Sequence, residues 1–127
     1  MVRGIEHIAL ASPDPEKLAQ WYVEHLGFRI VSHSPTSKTT FVGAAEGSTL
    51  EIVSFNGAPR REQQLRDIGL RHLAVAVDDF DSVYSSLKAA GVSFISEPET
   101  ANGNRIVFFT DPDGNYLHLI QRPRPPA

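Results

Sequence analysis

An ionisable side chain set in the middle of an apolar strand pattern costs stability unless it finds a partner, so such positions are where chemistry is expected. Four stand out. His7 lies in Ile5-Glu6-His7-Ile8-Ala9-Leu10, and Glu51 lies between Leu50 and Ile52. His72 lies in Leu70-Arg71-His72-Leu73-Ala74-Val75, and His118 lies between Leu117 and Leu119. Strand side chains alternate in direction, so His7 shares a face with Ile5 and Ala9, while Ile8 and Leu10 share the other. With a helix over the Ile8 and Leu10 face, His7 points away from it, and the same holds for His72 against Leu73 and Val75. Imidazole and carboxylate donors together suit a single divalent cation: Zn, Mn, Fe, Ni or Co. Donor types alone do not select among these metals. The competing arrangement is two histidines at the core edge bonded to backbone.

The spacing of these residues reflects an internal repeat. His7 falls on His72 at an offset of 65 (72 − 7), and Phe41 to Ile52 falls on Phe108 to Leu119 at an offset of 67 (108 − 41). In the second overlay Phe41 meets Phe108, Gly47 meets Gly114, Leu50 meets Leu117 and Glu51 meets His118. The candidate residues are therefore two equivalent pairs, one per half.

The elements that must position them read the same way in each half: strand, helix, then strands. Strand patterns cover 4–11, 28–33, 39–45 and 48–55 in the first half, and 70–77, 92–96, 104–110 and 115–121 in the second. Phe28, Ile30, Phe41, Val42, Leu50, Ile52 and Val53 are the buried candidates of the first half. A helix over 15–26 carries the stripe Leu18, Trp21, Tyr22 and Leu26, and one over about 80–90 carries Phe80, Val83, Leu87 and Ala90. Ser12 or Asp14 caps the first helix, and Gly27 and Gly91 mark the two stops. Asp111-Pro112-Asp113-Gly114-Asn115 reads as a tight hairpin turn. The predicted fold class is α+β: two βαβββ modules forming a curved eight-stranded mixed sheet with an open cup and the helices outside. Module 1 spans about 4–55, a polar connecting segment 56–68, module 2 about 69–122, and a frayed tail 123–127.

Composition narrows the function classes. A length of 127 residues suggests one domain with enough core to fold unaided. The absence of Cys removes thiol nucleophiles, iron–sulfur clusters and Cys-based zinc sites. A net charge of −3 argues against general nucleic-acid binding. No apolar run approaches the ~18–20 residues that span a bilayer. The N-terminus lacks a signal peptide's apolar stretch, so a cytoplasmic protein is expected.

These residues resemble the vicinal oxygen chelate superfamily, the glyoxalase, bleomycin-resistance and extradiol-dioxygenase group. The resemblance runs from Ile5-Glu6-His7-Ile8-Ala9-Leu10 to Phe109-Thr110-Asp111-Pro112-Asp113-Gly114-Asn115-Tyr116-Leu117-His118-Leu119-Ile120, and the Asp-Pro-Asp-Gly-Asn turn is its most specific piece. In that family the four equivalent strand positions hold metal ligands. The resemblance therefore implies His7 as the first ligand, Glu51 as the second and His72 as the third. The fourth position is commonly Glu and here is His118, so the family's proton-transfer carboxylate does not carry over intact. The implied chemistry is chelation of two neighbouring substrate oxygens by one divalent metal, with Glu51 and His118 as candidates to move the proton. A glyoxalase-like lyase or isomerase acting on a small α-oxygenated carbonyl compound is the leading expectation. A metal-free protein that sequesters a hydrophobic ligand is the second, and an Fe-dependent extradiol-type dioxygenase the third. The partners implied are a small molecule and a second copy in a homodimer.

Other residues read more plainly. Arg60, Arg61 and Arg66 offer a place for an anionic substrate tail, but Glu62 and Asp67 leave their segment close to neutral, and a solvated face is favoured. Trp21 and Tyr22 read as core or subunit contacts, His25 as a surface residue, and His33 as a loop residue. Substrate choice is assigned to the loops 32–39, 56–68 and 96–105.

Overall fold

The computed structural model describes residues 1–123, and the expectation of a frayed tail falls mostly on 124–127, outside the described residues. The chain divides into two compact units, Met1–Arg61 and Glu62 onward. The first contains β1 (His7–Ser12), α1 (Pro15–Leu26), β2 (Arg29–Ser34), β3 (Thr39–Gly43) and β4 (Thr49–Ser54). The second contains β5 (Leu73–Ala76), α2 (Phe80–Ala89), β6 (Glu99–Ala101), β7 (Asn104–Thr110) and β8 (Tyr116–Gln121). The fold is α+β, two βαβββ modules, and the eight strands form two mixed sheets of four, ordered β1-β4-β3-β2 and β5-β8-β7-β6. In each unit the first strand runs parallel to the last, and the other pairings are antiparallel.

Local chemistry explains the helices. Asp14 caps α1 by accepting the Lys17 N–H at 3.1 Å, and Pro15 fills the first turn, where a missing N–H costs nothing. Gly27 ends α1 in the left-handed conformation at φ 70°, and the Phe28 N–H reaches back to the Tyr22 carbonyl at 3.2 Å. Leu18, Ala19 and Tyr22 are buried in the first unit, as are Val42, Leu50 and Ile52 of its sheet. Asp79 caps α2 at the Ser82 N–H, and Phe80 and Leu87 are buried in the second unit along with Val107, Phe109, Leu117 and Leu119. Ala90, expected in the α2 stripe, lies past the helix end and is exposed.

The strand boundaries depart from the hydrophobic pattern where a partner strand runs out. β1 begins at His7 rather than residue 4 because its ladder partner begins at Thr49, and Ile5 is exposed. β5 likewise begins at Leu73, paired to Leu117, so Leu70 is exposed and His72 sits just ahead of the strand. Ile30 is exposed rather than buried, because β2 is an edge strand and is bulged between Ile30 and Ser32. His33 lies on that strand, not in a loop. The stretch 92–96 forms only a bridge from Phe94 to Phe109. The fourth strand of that sheet is Glu99–Ala101, beyond Pro98, which has no N–H to give to a ladder. It turns into β7 through Asn102 and Gly103, at φ 53° and 80°, the geometry of a two-residue hairpin loop.

The Asp111–Asn115 turn is tied by its first residue. The buried Asp111 carboxylate accepts the N–H groups of Asp113 and Asn115 at 3.0 Å each, and the Asn115 side-chain amide at 2.7 Å. Among the described residues no helix is long and apolar enough to cross a membrane. Replacing Asp111 by Ala leaves those donors without their acceptor and is expected to cost about 2–4 kcal/mol. Urea denaturation reads this directly, and a loss below about 0.5 kcal/mol would show that the turn holds without it.

Candidate functional site

Each unit builds a pair of candidate ligands in the same way. In the first unit Glu51 is flanked on the ladder by Ala9 of β1 and Phe41 of β3. His7 lies two residues before Ala9, on the same face. Its Nε2 is 3.7 Å from Glu51 Oε1, an electrostatic contact rather than a hydrogen bond. Its ring meets Phe41 edge to face at 5.6 Å. In the second unit His118 is flanked by Ala74 of β5 and Phe108 of β7, and His72 lies two residues before Ala74. The duplicated offset of the sequence is thus a duplicated register in the sheets.

The two pairs differ in their surroundings. The His7 side chain is 41% exposed and that of Glu51 27%, so the first pair faces water. Glu6, which the strand pattern gave no reason to single out, holds His7 Nδ1 at 2.5 Å and leaves Nε2 turned to Glu51. A carboxylate behind an imidazole is the arrangement that orients a ligating histidine. In the second pair His118 is buried, stacked on Phe108 at 5.0 Å and 14° between planes. His72 is exposed and meets both rings edge to face, at 4.5 Å from His118 and 5.4 Å from Phe108. His118 Nδ1 is buried without a hydrogen-bond partner. Burial first, then the nearby His72, then Arg122 push the His118 pKa down from 6.5 to about 4.

These features fit a metal-ligand role as far as each unit reaches. A neutral imidazole keeps a lone pair, and an orphaned ring nitrogen is a donor in want of a partner. The structure brings the four expected residues together as two pairs, His7 with Glu51 and His72 with His118. Among the described residues no group of three or more His, Asp or Glu side chains is placed to hold a metal ion. Arg60, Arg61 and Arg66 are exposed. Arg71 helps to order the connecting segment, its guanidinium donating to the carbonyls of Gln64 at 2.6 Å and Gly69 at 3.1 Å. Tyr116 adds a hydroxyl bond to the Gln63 carbonyl at 2.7 Å.

With fold and pairs in view, comparison with known proteins defines the class. Residues 4–119 match the Glyoxalase/Bleomycin resistance protein/Dioxygenase superfamily, and the chain belongs to it. YwkD of Bacillus subtilis is 31% identical, over 96% of this chain and 99% of its own. A probable lactoylglutathione lyase of Vibrio parahaemolyticus is 26% identical, over 92% and 89%. Among solved structures, TnmS3, an antibiotic-binding protein of a Streptomyces species, superposes with a TM-score of 0.75 at 25% identity, covering 96% of this chain and 98% of that one.

The depressed His118 pKa has a consequence for stability. Between pH 6.5 and about 4 the unfolded chain takes up a proton at this position and the folded chain does not. The contribution of this group to stability is therefore constant above pH 6.5 and falls through that window on acidification, by on the order of 3 kcal/mol. His118→Phe, which keeps a ring on Phe108, is expected to remove that component. Thermal unfolding of both proteins across the window tests it, and superimposable pH profiles would refute it.

Proposed function

We propose that the protein is a metal-dependent lyase or isomerase of glyoxalase type, acting on a small α-oxygenated carbonyl compound. The observation that supports this reading above others is the repeated register. An ionisable residue stands at the same ladder position in both units, each beside a histidine and an aromatic ring. Nothing in packing requires that repetition, since an apolar residue would stabilise either strand better.

In this proposal His7, Glu51, His72 and His118 are the ligand set for one divalent ion: Zn, Ni, Mn, Fe or Co. A bound ion supplies Lewis acidity at a substrate carbonyl and makes the neighbouring C–H more acidic. Glu51 has the exposure to receive that proton from substrate and return it. His118, uncharged at neutral pH, supplies a lone pair and no competing positive charge. Phe41 and Phe108 present apolar surface beside the ligands. The name of the Vibrio relative, a probable lactoylglutathione lyase, agrees with a reaction of this class. The working unit proposed is a homodimer.

A second reading has its own support. TnmS3 is an antibiotic-binding protein of the same fold. In that reading the aromatic rings hold a small hydrophobic ligand, with no metal and no turnover.

Elemental analysis of untagged protein separates the two. About one equivalent of a transition metal per chain is expected, lost in His7→Ala and in His72→Ala. Glu51→Gln is expected to lower turnover about 10²–10⁴-fold on a panel of α-oxygenated carbonyl compounds that includes lactoylglutathione. Protein that binds no added metal at micromolar concentration, yet takes up an apolar ligand, would establish the binding reading instead.

A further inference from the structure

The first unit holds a groove of about 350 Å³ that the proposed function does not use, lined by Glu16, Ala19, Gln20, Ile30, His33 and Thr40. It lies between α1 and the β2–β3 pair. Thr40 is adjacent to Phe41 in β3, so the groove opens on the opposite face of the sheet from Phe41 and Glu51. Its volume is at the lower end of the range for small-molecule sites.

The lining has a consistent chemistry. Ala19 and Ile30 make an aliphatic wall, and Ile30 is 54% exposed although its side chain has a hydrophobic surface to cover. The polar end is built on Glu16, His33 and Thr40. His33 Nδ1 bonds Thr40 Oγ1 at 2.8 Å, and Thr40 is buried, so the imidazole is held from behind. His33 Nε2 then stands 3.6 Å from Glu16 Oε1, too far for a direct hydrogen bond and close enough for one donor to bridge. The Gln20 side-chain amide donates one of its N–H groups to Glu24 at 3.0 Å. No lysine or arginine lines it.

We propose that this groove is a second small-molecule site, for a primary alkylammonium compound. The ammonium bridges Glu16 Oε1 and His33 Nε2, with Nδ1–H donated to Thr40, and the alkyl chain lies on Ala19 and Ile30. Charge complementarity selects the head group, because Glu16 brings a carboxylate to the polar end and no lysine or arginine lines it. An anionic ligand of the same shape meets the Glu16 carboxylate there.

The test is an NMR titration of the full chain, following backbone amides, with n-butylammonium, n-butanol and butyrate as probes. Butylammonium is expected to give saturable shifts centred on Glu16, Gln20, Ile30, His33 and Thr40, with butanol weaker and butyrate without effect. Glu16→Gln and His33→Gln, both at solvent-accessible positions, are each expected to weaken butylammonium binding at least about threefold. Equal response to the three probes overturns the proposal. So do shifts centred on His7 and Glu51, or Glu16→Gln with unchanged affinity. None of these results depends on metal at the other face.

Discussion

Glu51 and His118 sit where they do because β4 and β8 are pinned in register by their neighbours. Leu50 and Ile52 flank Glu51, Leu117 and Leu119 flank His118, and all four apolar side chains are buried. A slip of one residue would carry those side chains to the other face and drive the ionisable group into the core. Each fully buried aliphatic side chain is worth roughly 1.5–3 kcal/mol, so the register is held far more firmly than any pairing of the polar groups would hold it. Hydrophobic burial on the helix side positions the chemistry on the other side. The same ladder places Phe41 and Phe108 opposite the ionisable residues, which gives each histidine its ring contact.

The duplicated scaffold carries two electrostatic environments. The first pair is wet, acid-bearing and backed by Glu6. In the second, His118 is buried and stacked on Phe108 while His72 is exposed, and the buried imidazole stays neutral through most of the physiological range. At the position where the family resemblance implies a carboxylate, this chain has a group that keeps a lone pair without bringing charge into an apolar surround. That substitution suits burial, since a carboxylate stacked on Phe108 would pay a larger desolvation cost. It also leaves Glu51 as the carboxylate of the four candidate residues.

Several features of the fold were legible because they rest on local chemistry. Pro15 and Gly27 bound α1 at residues 15 and 26 as expected, the structure choosing Asp14 over Ser12 as its cap, and the Asp111–Asn115 turn was readable from its residue types. The edge strands were not legible. Ile30 has the composition of a buried residue, and only its place at the margin of the sheet leaves it exposed. The 92–96 stretch has a strand's pattern, yet one bridge and Pro98 end its pairing, while the polar Glu99–Ala101 pairs instead. The signal for that strand was present in Asn102-Gly103, a two-residue turn that requires positive φ at both positions. His33 was missed because its partners, Glu16 and Thr40, are brought to it by the packing of α1 against β2 and β3.

By itself the sequence determined the repeat, the α+β class, the equivalence of His7 with His72 and of Glu51 with His118, and which strand face His7, Glu51 and His118 occupy. Those follow from periods of two and of 3.6 residues, which are properties of the backbone. Tertiary structure alone decided that Glu6 backs His7, that His118 is stacked and dry while Glu51 is wet, and that a groove opens behind the first sheet. Burial and desolvation depend on what other elements place around a side chain, and that information lies in no short stretch of the chain.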